Sequence, residues 1–563
     1  MHQHKILNIA SPNPETQDLF RQVLGFSNVF AQVLINRGLT EPKEAVRFIA
    51  AKLEDLSSPF CFSQMKAAVE RIKSAIRQKD KILVYGDYDV DGITSIALVK
   101  SVLLGLGASV IHYIPDRIRE GYGLNRNILN ICMDNNVSLL LTVDCGTNSR
   151  EEISSLINAG IDVIITDHHE LSEESLPRAT AIINPKIKES GYAFRDLAGV
   201  GVAYKLCQAL TGRDLVSELD LVTLGTIADV VPLVGENRII VKEGLLRLPA
   251  TAKLGISALI EAAGIKNRSI TTTHVGYILG PRINASGRIA HADSALKLLL
   301  SQDPQEAMEL ADELNNKNRQ RQGIENKILD EAQGIIDREV NFKEHKVIVI
   351  AKEDWHEGVL GIVASKLADR FYRPTVLISI SEDHCKGSAR SIKNFHLFNA
   401  LIDCKSVLES FGGHSHAAGL LIAKDNIDSF RKYINDIASQ RLDAADLIPC
   451  IDIDAELGLA DINNKVIGEI ESLEPFGAGN PEPLFLTRGL KLKSQPCVLS
   501  RDTLKFWVTD GKVTYQAIGF GLGSLKGSLM SASSFDLVYT PAFDNWRGQS
   551  STILEARDIF FNQ

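Results

Sequence analysis

The chain has 563 residues, 45% of them hydrophobic, and 61 basic against 70 acidic side chains give a formal net charge of −9. That length predicts several domains with large cores. No apolar run reaches membrane-spanning length, and the opening MHQHKILNIASPNPETQ is too short in apolar residues for a signal peptide. The eight cysteines are scattered without a C-x-x-C pair, which argues against a disulfide framework and a zinc ribbon and leads us to expect a reducing, cytoplasmic setting. The acidic balance argues only weakly against nucleic acid, because a local basic patch decides binding and a bound cation would neutralise clustered carboxylates.

Residues 1–75 read as helical, with LINRGL and EAVRFIAAKL as short amphipathic pieces. From Lys81 the pattern changes. KILVY (Lys81 to Tyr85) is a strand, ITSIALVKSVLLGLG a buried helix, SLLLTV (Ser138 to Val143) a strand, SREEISSLINAG a helix and DVIIT (Asp162 to Thr166) a strand. This alternation predicts an α/β fold, a parallel sheet covered by helices on both faces. Asp303 to Val340 is dominated by charged and amide residues and opens on Asp-Pro, a helix start. It predicts one long exposed linking helix (303–340), broken at most near Gly323. A smaller α/β region follows, with KVIVIA (Lys346 to Ala351) and TVLISI (Thr375 to Ile380) as strands around the helix VLGIVASKLADRF. After the Pro/Gly cluster EPFGAGNPEPLF (Glu474 to Phe485), the runs LKFWV, VTYQAIGF and FDLVYT predict a small β-barrel of the OB type.

The stretch YGDYDVDGITS (Tyr85 to Ser95) opens like an EF-hand loop. Counted from Asp87, however, the twelfth position is Leu98 rather than a bidentate Glu, and a strand precedes it instead of a helix. The context is strand, acidic turn, helix. Two further strands end in the same way: SLLLTV runs into Asp144, and DVIIT into Asp167-His168-His169. Parallel strand ends share one sheet edge, so these side chains can meet. Asp229, in the apolar run GTIADVVPL, is a charge that needs a partner. Any one of these residues could be a cap or a turn residue; their recurrence points to a metal site. Aspartates with one or two histidines favour Mn²⁺ or Mg²⁺ over zinc, and two ions roughly 3.5–4 Å apart would share a carboxylate.

GDYDVDG, VDCGTNS, TDHHE and GTIADVVPL, in that order, resemble the DHH phosphoesterases. WHEGVLGIVASKLADRFYRP and FGGHSHAAG resemble that family's accessory DHHA1-type domain. GPRINASGR (Gly280 to Arg288) and EPFGAGNPEPLF narrow the resemblance to its single-strand-specific 5′→3′ DNA exonucleases. The resemblance implies an N-terminal helical segment (1–75), a DHH catalytic domain (76–302), the linking helix, a DHHA1-type nucleic-acid-binding domain (341–445) and an OB-type single-strand-binding domain (446–563). It implies two Mn²⁺ or Mg²⁺ ions held by Asp89, Asp91, Asp144, His168 and Asp229, with Asp91 or Asp144 as the bridge. His169 would support the site or touch the scissile phosphate, and Asp87 would orient a ligand. One position departs. Where the pyrophosphatase branch of the superfamily carries a histidine ligand this chain has Tyr85, so one ion would lack a protein ligand.

The implied reaction is hydrolysis of single-stranded DNA to nucleoside 5′-monophosphates, in DNA repair and recombination. A 5′-terminal phosphate needs a pocket, for which the resemblance offers Arg119, Ser388 and Arg390. Arg282 and Arg288, flanking Asn284, would hold phosphates nearer the metals. Gly412, Gly413 and His414 would serve similarly, with His416 less secure. In the terminal domain Phe506, Trp507, Tyr515, Phe520, Tyr539 and Trp546, interspersed with Lys491, Lys493, Lys505 and Arg547, could stack and pair with a single strand, although at least half of these aromatics are expected in the barrel core. The implied partners are single-stranded DNA, single-strand-binding protein and a RecQ-type helicase, for a monomer away from membranes. Two other readings stay open: a phosphodiesterase for short oligonucleotides or cyclic dinucleotides, and a non-catalytic single-strand-binding scaffold.

Overall fold

The computed structural model describes residues 5–117, 119–171, 175–381, 385–544 and 551–561. The chain forms two compact units, one from 57–231 with 243–449 and the other from 5–56 with 232–242 and 450–563.

The first unit begins with a parallel sheet of β1 (Lys81–Gly86), β2 (Ser109–Tyr113), β3 (Val137–Val143), β4 (Asp162–Thr166) and β5 (Ala181–Ile183), in the order β2-β1-β3-β4-β5. Its near-continuous apolar strands suit a sheet covered on both faces. Gly86 lies opposite Val143, and Val143 opposite Thr166, so the three central strands stop in step. Everything that follows these residues emerges at one edge. Helix α1 (Val90–Gly105) starts directly from the β1 turn and is apolar on all sides. It is buried against α2 (Gly199–Thr211) and α3 (Leu219–Ala228).

Helix α4 (Gly280–Ile289) leads towards α5 (Pro304–Glu339), which runs unbroken for 36 residues from its Asp303 cap. Gly323 does not interrupt it. The expectation of an exposed linker needs correction, because one face is buried along the whole length. Asn315, Asn318, Arg321 and Glu325, which read as solvent-facing in sequence, are buried in its middle: Arg321 donates to Asn318 and Glu325, and Asn315 accepts from Arg282. Further along, Ile328, Ala332 and Ile336 share a core with Val359, Leu360 and Val363 of α6 (Glu357–Phe371). A second sheet contains β6 (Ile348–Glu353), β7 (Thr375–Ile380), β8 (Cys385–Arg390), β9 (Ser410–Gly413) and β10 (Ala417–Ile422). Its order is β9-β10-β8-β7-β6, and only β6 and β7 pair in parallel.

The second unit holds the terminal β domain. Seven strands pair in the order Ala455–Glu456, Phe485–Leu492, Phe535–Asp544, Ser551–Phe561, Thr514–Gly519, Thr503–Thr509 and Cys497–Leu499. Lys491 and Leu492 also pair with Thr509 and Val508, which closes the sheet on itself. The N-terminal segment is divided differently from the expected 1–75. Ile6–Ile9 is a strand, parallel to Cys450–Ile453, and Phe20, Phe30 and Leu34 share a core with Leu459, Ile467 and Phe485. The helix Met65–Gln78 instead packs in the first unit.

Candidate metal and phosphate site

The carboxylates converge because each is fixed by the element it terminates. Asp89 caps α1 and accepts the Gly92 N–H at 3.0 Å. Asp91, in the first turn of α1 and buried, accepts the Gly199 and Val200 N–H groups at 2.7 Å each, at the positive end of α2. Asp144 follows β3 with φ of +60°, a left-handed conformation that few residues other than glycine adopt. Asp229 closes α3. Two glycines make the approach possible: a Cβ on Gly199 would sit 2.6 Å from Asp144 Oδ1, and one on Gly225 would sit 3.0 Å from Asp91 Oδ1.

At the centre stands His168. Its Nε2 lies 3.1 Å from Asp144 Oδ1, 3.6 Å from Asp229 Oδ2 and 3.8 Å from Asp91 Oδ2. Among the described residues, His168 Nε2, Asp144 Oδ1 and Asp87 Oδ1 are buried without a hydrogen bond. Three overlapping groups bring ligand atoms within 4.8 Å of one another: Asp91–His168–Asp229, Asp144–His168–His169 and Asp87–Asp89–Asp144. Asp144 and His168 each belong to two.

Burial, then the Asp89 charge, pushes Asp91 up to about 7. Burial and its carboxylate neighbours, Asp91 foremost, hold Asp144 well above the usual range; Asp87 and Asp229 are raised in the same way. Burial drives His168 down to about 3, so the imidazole is neutral and able to ligate. A neutral imidazole among like-charged, unsatisfied oxygens is a donor set that fits hard divalent cations.

His169 is built differently. Burial opposes its charge, but a 2.8 Å bond from Nδ1 to Asp167 Oδ1 prevails and raises it. Asp167 also accepts the Thr147, His168 and His169 N–H groups, so it organises the whole turn. Tyr122 Oη lies 2.8 Å from His169 Nδ1 and donates to the Asp144 carbonyl at 3.4 Å. Asp167 stands in the sequence reading only as a strand-end residue without a role of its own, and Tyr122 does not figure in it. Adjacency to the histidine pair was the available signal for the first, and for the second there was none. Tyr85 is buried, stacks on Tyr113 and donates to the Gly123 carbonyl at 2.8 Å, so its hydroxyl is committed away from the cluster.

Arg390 donates to Ser388 Oγ at 3.3 Å, both on β8, and Arg288 donates to the Gly358 carbonyl at 3.1 Å. Burial, with Arg117, Arg321 and Arg390 around it, presses Arg288 down to about 9. The member of RIREGYG in this cluster is therefore Arg117, whose guanidinium lies 4.8 Å over the Tyr88 ring. Arg119 is exposed, and its backbone N–H donates to Asp116. Successive arginines two apart point differently, and here the inward one is the first. Asn284 Oδ1 accepts the Val90 N–H at 3.1 Å and so braces the acidic turn. Arg282 donates to the Ile278 carbonyl and to Asn315 on α5. Across the second sheet, Ser388 pairs with Gly419 and Gly419 with Gly412, and the exposed His414 donates its N–H to the Ala417 carbonyl. Gly413, beside Gly412, has φ of +142°, and His416 is exposed.

In the second unit Phe506 and Tyr539 are core residues and Tyr515 is half-buried, whereas Trp507 and Phe520 are 41% and 68% exposed. Lys491 and Lys493 are exposed as well. Trp546 and Arg547 lie outside the described residues.

Three family models match the chain: the DHH family N-terminal domain over 81–226, the DHHA1 domain over 344–440 and the RecJ OB domain over 453–558. The geometry and these matches define a phosphoesterase of the DHH class. The chain is 39% identical over 553 residues to the single-stranded-DNA-specific exonuclease RecJ of Bacillus subtilis, covering 98% of this chain and 70% of that one. The crystal structure of Thermus thermophilus RecJ in complex with Mn²⁺ superposes with a TM-score of 0.84 at 29% identity, covering 99% and 80%. Its Mg²⁺ complex superposes with a TM-score of 0.79 at 28% identity, covering 99% and 79%. The chain belongs to the RecJ family. Among the described residues, no helix is long and apolar enough to cross a membrane.

Proposed function

We propose that this protein is a metal-dependent exonuclease that hydrolyses single-stranded DNA from the 5′ end to nucleoside 5′-monophosphates, in DNA repair and recombination. The observation that carries this reading is the pit of Asp91, Asp144, His168 and Asp229, with orphaned buried ligand atoms, beside a cluster of arginines. The names of its RecJ relatives supply the substrate class. Asp89, Asp91, Asp144, His168 and Asp229 would hold two Mn²⁺ or Mg²⁺ ions, and the membership of Asp144 in two ligand groups favours it over Asp91 as the bridge. When bound, such ions supply a lowered pKa for the attacking water and compensation for charge on the phosphate oxygens.

The chain's own groups do the rest. His169, held in one orientation by Asp167, turns its other ring nitrogen to the scissile phosphate and donates a hydrogen bond to one of its oxygens. Asp87 orients the ligand set from below. Arg117, Arg288, Arg390 and Ser388 hold the 5′-terminal phosphate, Arg117 in the place given to Arg119. Planar guanidinium forks match phosphate oxygens, and capture of the terminus sets the polarity. Gly413 and His414, in the row beyond Ser388, contact the same end. Asn284 and Arg282 work indirectly, by fixing the acidic turn and α4. Single-strand-binding protein and a RecQ-type helicase are the protein partners, and a cytoplasmic monomer is the working form.

The test is a strand labelled at either end, single or in duplex, incubated with Mn²⁺, Mg²⁺ or EDTA. Metal-dependent release of mononucleotides from the 5′ end of the single strand is expected, and Asp144→Ala should abolish cleavage while leaving DNA binding. Binding without cleavage in the presence of either metal would refute the enzymatic reading.

A further inference from the structure

A second recess lies in the first unit, bounded by α4, α5 and α6, with a volume of about 480 Å³. It adjoins the arginine cluster but is not part of it. Of the proposed phosphate-holding side chains only Arg288 lines it. Helix α6 separates the two: a Cβ on Gly361 would meet Ser388 Oγ and Arg390 at 2.9 and 2.8 Å, whereas the next residue, Ile362, faces the recess. Asn284, whose Oδ1 braces the acidic turn, forms another part of the wall.

The recess has a definite chemical character. Arg288, Arg321 and Lys366 face a single carboxylate, Glu325, which pairs with Arg321 at 3.0 Å and with Lys366. Two positive charges remain in excess. Arg321 and Glu325 are only 8% and 3% exposed, so this charge is set in a poorly solvated wall. A phosphomonoester carries roughly −1.5 to −2 at neutral pH, and an internal phosphodiester only about −1. The excess therefore matches a terminal phosphate. Gln322 and Asn326 sit four residues apart on α5, on one face, and each amide offers both a donor and an acceptor. That suits the edge of a base. Tyr277, 80% exposed on the π-helical turn Val275–Leu279, stands at the same recess with a ring free to stack on a base. The volume is at the low end of small-ligand sites, about 300–1,000 Å³, and holds one nucleotide rather than a run of them.

We propose that this recess binds a nucleoside 5′-monophosphate at a site separate from the catalytic pit, which makes it a product site of the exonuclease. The product assignment rests on the nuclease reading above; the nucleotide site itself does not. Arg288 and Lys366 take the phosphate, Gln322 and Asn326 the base edge, and Tyr277 its face. Accumulated product then slows the enzyme by drawing Arg288, which both sites share, away from the strand's terminal phosphate.

The experiment uses the full chain and dAMP as the probe. In EDTA, calorimetric titration should show dAMP binding that persists in Asp144→Ala. The double substitution Gln322→Leu with Asn326→Leu should weaken it at least tenfold, and Tyr277→Ala, at an exposed position that cannot upset packing, at least threefold. In Mn²⁺, added dAMP should raise the apparent KM for the single strand at least threefold by drawing on Arg288, and the double variant should escape this inhibition while its kcat and KM without dAMP stay unchanged. The proposal is overturned by any of four results: no binding at millimolar dAMP, binding that requires the divalent metal, inorganic phosphate binding as tightly as dAMP, or a double variant with raised KM for the strand and unchanged dAMP affinity, which would make the recess a strand track. Metal-free dAMP binding through these residues in a protein that cleaves no DNA would uphold the site and remove the nuclease reading alone.

Discussion

Gly199→Ala tests whether the pit is as tightly constructed as its distances imply. Gly199 opens α2, gives its N–H to Asp91 at 2.7 Å and faces Asp144 so closely that a Cβ would lie 2.6 Å from Oδ1. Ordinary contact for a Cβ starts at 3.4 Å, so something must yield by about 0.8 Å. If the Asp144 carboxylate yields, a shared candidate ligand is displaced; if α2 yields, both N–H bonds to Asp91 lengthen. No positive φ is involved, so the alanine backbone carries no strain of its own and the effect falls on the ligands. A misplacement of about 1 Å costs roughly 100-fold in rate, near 2.7 kcal/mol of barrier. Overpacking costs about 1–3 kcal/mol of stability.

The assay is hydrolysis of 5′-labelled single strand over a Mn²⁺ titration, with the thermal midpoint recorded in parallel. We expect kcat to fall about 100-fold, the Mn²⁺ requirement to rise, and the midpoint to drop by a few degrees. Gly201→Ala is the control. It lies on the same helix but would meet only the flexible Leu197 side chain, at 3.2 Å, so its activity should stay near wild type. Wild-type rate and metal requirement in Gly199→Ala would refute the steric coupling. An equal loss in both variants would assign the effect to α2 packing and not to Asp144.

Three further outcomes follow from other parts of the structure. Arg117→Ala should lower activity on 5′-phosphorylated strands at least tenfold, whereas Arg119→Ala should change it by less than twofold; the reverse ranking would return the terminal phosphate to Arg119. Mn²⁺ at about 100 times its dissociation constant should stabilise the protein by roughly 2.7 kcal/mol, because it compensates crowded carboxylates. The gain should vanish on chelation and in Asp144→Ala, and a gain retained in that variant would place the ion elsewhere. Arg238 is fully buried and donates to the carbonyls of Phe48, Ser472, Leu473, Glu474 and Pro475. Arg238→Ala leaves those acceptors unmet, at about 1–3 kcal/mol for each that water cannot reach. A total loss of about 3 kcal/mol or more by urea unfolding is expected, and less than about 1 kcal/mol would show that water replaces the guanidinium.

The sequence was most readable where chemistry interrupts an apolar strand. Asp89, Asp91, Asp144 and His168 each follow such a run, and equal strand ends then force them together. It was least readable where polar residues are buried or a partner is distant in the chain. Asn318, Arg321 and Glu325 look like a solvated helix face and instead satisfy one another inside. Ile6–Ile9 is a strand only because Cys450–Ile453 lies beside it, which no local pattern announces. The edge strand Ser109–Tyr113 carries a histidine and little apolar repeat, and Ala181–Ile183 is too short to stand out. Arg117 and Arg119 are alike in type and setting, and only the fold of their loop brings one of them inside.

Net charge misleads here for a related reason. Asp87, Asp89, Asp91, Asp144 and Asp229 contribute five of the negative charges within one pit, and two divalent cations would bring the formal total from −9 to −5. The local change is larger than the global one, because burial leaves those charges little other screening. On the proposed reading, ions in place would turn the pit into a receptor for phosphate, and Arg117, Arg288 and Arg390 extend the same sign alongside. Without the ions, burial and crowding hold Asp87, Asp91, Asp144 and Asp229 above the usual carboxylate range, so protons offset part of the pit's charge. On that reading the ions would act on where the scissile phosphate can rest as well as on the bond that breaks, and a charge count taken on the bare chain omits both the ions and the protons that stand in for them.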